Sequence, residues 1–160
     1  MRKLYLLRHA DAAKDDGSGD INRILTDKGI SEVKNLGDSL KDIDFDCDLV
    51  LCSSAERTKQ TWQTLSTHCN YRFEVQYVDA LYNPSIENFI KEAQQLNDDI
   101  SSVLMISHNP TTSEFANYLT GFPGLISFST ANLGSFNLDI ESWKKLGEHS
   151  ATMEWLLPKR

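Results

Sequence analysis

Lys3-Leu4-Tyr5-Leu6-Leu7-Arg8-His9 opens the chain as an apolar run that stops abruptly on two basic residues. Residues 3–8 read as a buried strand, because four large apolar side chains follow one another over strand length with no turn residue among them. The Arg-His pair then falls at the carboxyl end of that strand.

Working outward, the same alternation recurs. Thr26 is placed to cap a helix over 26–41, in which Ile30, Val33, Leu36 and Leu40 repeat at helical spacing. Asp48 to Cys52 reads as a second strand, and Ser54 as the cap of a helix running to about His68, with Ala55, Thr58, Trp62 and Leu65 along one side. Phe73 to Val78 suggests a third strand. Pro84 and Ser85 introduce a helix striped by Ile86, Phe89, Ile90, Ala93 and Leu96. Ser102 to Ile106 is a fourth apolar run. After it, Asn109 reads as an N-cap and Pro110 as the first residue of a helix that ends near Gly121. Ser135 to Ile140 and Thr152 to Leu157 read as edge strands. Strands alternating with helices predict an α/β three-layer sandwich: a mostly parallel central sheet, helices on both faces, and antiparallel edge strands near the C-terminus.

The 160 residues suit one domain, 1–160, with neither a linker nor an internal repeat. No run reaches membrane-spanning length and no apolar leader opens the chain, so the expected location is the cytoplasm. With 16 basic against 23 acidic residues the net charge is -7, which argues against a nucleic-acid surface. It leaves room for one small basic pocket. Three cysteines, Cys47, Cys52 and Cys69, with no C-x-x-C pair, predict free thiols rather than a disulfide framework or a zinc site. No carboxylate cluster is spaced to hold a metal, and neither metal nor cofactor is expected.

In a parallel sheet, ligands sit beyond the carboxyl ends of the strands. Arg8 and His9 follow the first strand, Ser53 to Arg57 the second, and Ser107, His108 and Asn109 the fourth. Two arginines and two histidines therefore converge on one edge, joined by helix N-termini whose free N–H groups favour an anion. Such a set suits a phosphoryl group. His68 and His149, in a helix end and a polar stretch, read as structural or solvent-exposed.

These segments resemble the histidine phosphatase (phosphoglycerate mutase-like) superfamily, and within it the small phosphohistidine phosphatases of the SixA family. The likeness is carried by Leu6-Leu7-Arg8-His9-Ala10-Asp11-Ala12, Arg23-Ile24-Leu25-Thr26-Asp27-Lys28-Gly29, Leu51-Cys52-Ser53-Ser54-Ala55-Glu56-Arg57-Thr58-Lys59-Gln60-Thr61, Ala80-Leu81-Tyr82 and Ser107-His108-Asn109-Pro110. The resemblance implies a metal-independent phosphatase without a lid insertion, acting in signal transduction. His9 would accept the phosphoryl group, Arg8, Arg57 and His108 would bind its oxygens, and Arg23 and Asn109 would assist substrate binding. The implied substrate is a histidine-phosphorylated phosphotransfer or carrier protein; nucleic acid and membrane are not expected partners, and the expected state is a monomer. Where many relatives carry a glutamate general acid, the alignment reaches Asn83, an amide that cannot donate a proton as a carboxylic acid does. That departure favours phosphohistidine, whose imidazole leaves readily, over an alkyl phosphate.

Three rival readings stand beside this one. Cys52 and Arg57 suggest a cysteine-based phosphatase, but four residues separate them where that loop needs five. A small-molecule phosphomonoesterase or mutase on the same scaffold would want the missing acid. A non-catalytic phosphohistidine-binding module would have lost the nucleophile or an arginine, and both are present.

Overall fold

A computed structural model describes residues 1–159. Its strands are β1 (Arg2–Arg8), β2 (Leu49–Ser53), β3 (Val75–Val78), β4 (Ser102–Ser107), β5 (Leu133–Leu138) and β6 (Ala151–Leu157), joined in one sheet of order β3-β2-β4-β1-β5-β6. The first four are mutually parallel, while β5 and β6 run antiparallel. Its main helices are α1 (Asp27–Ser39), α2 (Glu56–Cys69), α3 (Ile86–Gln94) and α4 (Thr111–Thr120).

The period of two along each strand divides the core into two layers. Leu4 and Leu6 of β1, with Leu49, Leu51, Val103 and Met105, pack against Phe89 and Ala93 of α3 and Phe115, Ala116 and Leu119 of α4. Tyr5 and Leu7, with Val50, Cys52, Leu104 and Ile106, face Val33, Leu36 and Leu40 of α1 and Trp62 and Leu65 of α2. The apolar run that reads as a buried strand is buried because helices cover both of its faces.

Helix ends follow local chemistry. Thr26 caps α1 by accepting the Gly29 N–H at 3.0 Å, and Ser85 forms a capping box with Asn88 at the start of α3. Gly121 closes α4 in the left-handed conformation, φ 77°. Gly29 is required by a close approach: a Cβ there would overlap the Asp11 carbonyl oxygen. The first turn of α1 can thus lie directly on the segment that follows His9.

Four expectations need correction. The third strand begins at Val75, because Phe73 is taken up by a cluster in which it stacks on Tyr71 at 5.1 Å and Trp62 at 6.0 Å. Strand β5 is interior to the sheet, paired with β1 on one side and β6 on the other, so β6 alone is the edge on that side. Helix α2 starts after Ala55 rather than at a Ser54 cap, since it is the Ser53 hydroxyl that accepts the Ala55 N–H, at 3.3 Å. Helix α4 starts after Pro110; Asn109 caps from one residue further out, its Oδ1 accepting the Ser113 N–H at 3.2 Å.

Candidate active site

Strand register sets the level of the site. Arg8 pairs with Ser107 and Cys52 with Ile106. His9, Ser53 and His108 therefore leave the sheet side by side at its carboxyl edge. The His9 and His108 rings lie 5.2 Å apart between centroids. Both side chains are largely enclosed, His9 at 9% and His108 at 6% exposure, and Arg57 in the first turn of α2 is exposed by only 6%.

His9 has a defined tautomer. Its Nδ1 lies 2.7 Å from the Ala10 carbonyl oxygen, which can only accept, so Nδ1 carries the proton and Nε2 the lone pair. Ala10 is itself held by Thr61, whose Oγ1 accepts the Ala10 N–H at 3.0 Å and donates to the Arg57 carbonyl at 2.7 Å. One threonine on α2 thus couples the backbone beside His9 to the helix that carries Arg57. Burial, with the positive charges of Arg57, Arg8 and Arg23, lowers the His9 pKa to about 4, so the ring is neutral at neutral pH.

His108 is placed by Ser53, with Nε2 and Oγ 2.8 Å apart. The pairing in which Ser53 donates to Nε2 leaves Nδ1–H as a donor. Burial, then Arg57 and His9, lowers the His108 pKa to about 3. His108 Nδ1, Arg57 Nε, Arg8 Nε and Ser54 Oγ are all buried and have no hydrogen-bond partner within the protein. Native structures leave few such groups, and at this edge they include an imidazole and two guanidinium nitrogens. Donors of this kind match the oxygens of a tetrahedral oxyanion.

Arg8 is fixed by a bond from Nη1 to the Phe128 carbonyl at 3.0 Å, and Asn109 Nδ2 donates to the same oxygen at 2.9 Å. The Asn109 amide is therefore engaged at both ends, and its side chain lines a neighbouring groove with Pro110, Ser113 and Ile126. Arg23 lies at the rim, its Nε bonded to the Ala13 carbonyl at 2.7 Å and its Nη1 to Asp20 at 3.1 Å. Asn83 sits in a turn at φ 50°. His68 bonds to Asp38 at 2.9 Å, at the opposite end of α2 from Arg57.

Sequence reasoning missed Asp20. Its carboxylate accepts from Arg57 Nη2 at 3.2 Å and from the Tyr82 hydroxyl at 2.7 Å, and its carbonyl accepts from Arg57 Nη1 at 2.9 Å. The only sequence signal is its place three residues before Arg23 in an acidic, glycine-containing loop. Thr61 and Ser53 lie within the segments that carry the family resemblance, but nothing in their residue type announces a bond to Ala10 or His108. Among the described residues no group of three or more His, Cys, Asp or Glu side chains is arranged to hold a metal ion. No described helix is long and apolar enough to cross a membrane.

Cys52 points into the core beneath α2, with 0% exposure, and burial pushes its thiol up to about 12. A thiol so placed is a poor nucleophile. Cys52→Ser is expected to leave kcat and KM within about twofold of wild type, at a stability cost of about 1 kcal/mol. Steady-state kinetics beside a thermal melt check this; loss of turnover in a folded variant would restore the cysteine mechanism.

A family model described as the histidine phosphatase superfamily (branch 1) matches residues 4–84. An uncharacterized protein of Mycobacterium tuberculosis (strain ATCC 25618 / H37Rv) is 33% identical over 118 residues, 74% of this chain and 72% of its own. The structure of the protein histidine phosphatase SixA complexed with tungstate superposes with a TM-score of 0.80 at 26% identity, over 96% of this chain and 95% of that one. A structure assigned as a phosphohistidine phosphatase SixA of Nakamurella multipartitia gives 0.85 at 25% identity, over 98% and 95%.

Proposed function

This chain belongs to the histidine phosphatase superfamily (branch 1) and is a phosphatase, and from that premise we propose that it hydrolyses protein phosphohistidine through a phospho-His9 intermediate. One observation carries the reading: a neutral histidine with a free Nε2 stands among buried, unpartnered donors of Arg8, Arg57 and His108. That a SixA structure holds tungstate, a tetrahedral oxyanion, supports the same use of the pocket.

The His9 Nε2 lone pair attacks phosphorus, and the phosphorus–nitrogen bond to the substrate imidazole breaks. With its second ring nitrogen protonated, that imidazole leaves as a neutral base and draws no proton from the enzyme. Water then attacks phospho-His9, releasing inorganic phosphate and restoring neutral His9. Arg8, Arg57 and His108 hold the equatorial oxygens, and in phosphoryl transfer such positioning and charge stabilisation supply most of the rate. Arg23 contributes from the rim.

The proton inventory favours a nitrogen leaving group. Asp20, the carboxylate bonded to Arg57, has its pKa lowered to about 2, first by the Tyr82 hydroxyl and then by Arg23 and Arg57, so it is ionised at neutral pH. Asn83 offers only an amide. An alkoxide leaving group would want the acid that neither supplies. With chelator present, kcat/KM on a histidine-phosphorylated protein is expected to exceed that on alkyl phosphates by about 100-fold or more, the usual worth of a general acid. Equal rates on both would identify a general phosphomonoesterase instead.

A further inference from the structure

We propose that Asp20 is a positioning residue that holds Arg57 and Arg23 by edges the phosphoryl group does not use. The proposal rests on the phosphatase reading above and adds a part that none of the recognisable motifs contains.

Asp20 is the hub of the pocket mouth. Arg57 Nη1 donates to its carbonyl at 2.9 Å and Arg57 Nη2 to its Oδ2 at 3.2 Å, while Arg23 Nη1 donates to Oδ1 at 3.1 Å. Tyr82 donates to Oδ2 at 2.7 Å, and the Arg57 guanidinium lies over the Tyr82 ring at 5.9 Å. Arg57 is thereby clamped on one edge and stacked on one face.

The loop that carries Asp20 is bonded to itself. Asp15 Oδ1 accepts from the Gly17 and Gly19 N–H groups, Asp16 Oδ1 from Ser18, and the Ser18 carbonyl from Asn22 Nδ2. Gly17 and Gly19 take φ of 103° and 109°, which few other residues would tolerate. Asp20 is half exposed, at 50%, yet its backbone is set by this turn.

A carboxylate on a phosphate-binding arginine can act in two opposite ways. It can compete with the phosphoryl oxygens, or it can hold the arginine in place for them. The division of N–H groups decides between these. Asp20 takes Nη1 and Nη2, whereas Nε of Arg57 stays buried and unpartnered along with Arg8 Nε and His108 Nδ1. Oxyanion and carboxylate thus use different donors of one fork. Arg57 has four rotatable bonds, and fixing them beforehand removes that ordering cost from binding.

The test measures affinity for orthovanadate and for inorganic phosphate, with kcat, KM and the melting temperature, for wild type, Asp20→Ala and Asp20→Asn. Asp20→Ala is expected to weaken vanadate binding and to lower kcat/KM by about tenfold or more, with little change in melting temperature. Asp20→Asn, whose amide oxygen still accepts from Arg57, should recover part of the loss. Tighter vanadate binding by Asp20→Ala would overturn the proposal in favour of a competitor, and unchanged binding in favour of a surface ion pair. Vanadate reports on the pocket whatever the natural substrate. A wrong substrate assignment therefore leaves this series readable, while failure of wild type to bind vanadate would overturn the pocket itself.

Discussion

His9→Ala is expected to abolish turnover, with kcat/KM falling by roughly 10⁴-fold or more, because the proposed mechanism forms its covalent intermediate on His9. The folded state survives, but at a cost larger than a strand-end histidine would suggest. A residue just past a strand end is ordinarily open to solvent; the structure leaves His9 only 9% exposed, with Nδ1 bonded to the Ala10 carbonyl. Losing that bond and the packing of the ring should cost about 1–3 kcal/mol at pH 7.5. The cost depends on pH. The folded-state pKa of His9, about 4, lies below that of an unfolded histidine, so between about 6.5 and 4 the unfolded chain takes up a proton that the folded chain refuses. Stability from the buried neutral ring is complete above the unfolded value and declines as pH falls through that window. The alanine variant lacks the site, so the gap between the two proteins should narrow from pH 7.5 to pH 5. Urea denaturation at both pH values checks the sign; a gap that widens would mean His9 is protonated in the fold.

The second large effect belongs to Arg57. Arg57→Ala removes a buried cation from the proposed oxyanion pocket, and kcat/KM should fall by about 10³-fold, within the range for loss of an arginine that stabilises a phosphoryl transition state. Arg57→Lys should recover only part of this, because a single ammonium cannot bond to Asp20 on one edge and present Nε on another. The same variant has a spectroscopic consequence. Burial depresses both histidines most and the Arg57 charge adds to it, so Arg57→Ala should raise the His9 and His108 pKa values part of the way toward 6.5. NMR titration of the imidazoles measures this directly. Unmoved pKa values would separate Arg57 from the site.

How far the sequence reaches can be judged residue by residue. Leu4 to Leu7 gives a strand because four apolar side chains without a break satisfy two buried faces, and helices α1 and α2 against α3 and α4 supply those faces. The helix starts at Thr26 and Ser85 were legible because capping is a bond between near neighbours. The helices near Ser54 and Asn109 start one residue later than those residue types suggest, because the Ser54 hydroxyl makes no bond within the protein and the Ser53 hydroxyl and Asn109 amide that cap instead also answer to distant groups, His108 and Phe128. The depth at which His9 sits, the tautomer its neighbour imposes and the exchange of bonds around Asp20 were not legible, since each depends on elements far apart in the chain.

The sequence by itself determined the alternation of strand and helix, and with it the gathering of Arg8, His9, Arg57 and His108 at one edge, because periodicity and the carboxyl-end rule are local statements repeated along the chain. Tertiary structure alone decided which nitrogens are free. Thr61 reaching Ala10, Ser53 reaching His108 and Asp20 reaching Arg57 span 37 to 55 residues. Hydrogen-bond partners at such separations are chosen by packing, and no pattern of neighbours encodes them.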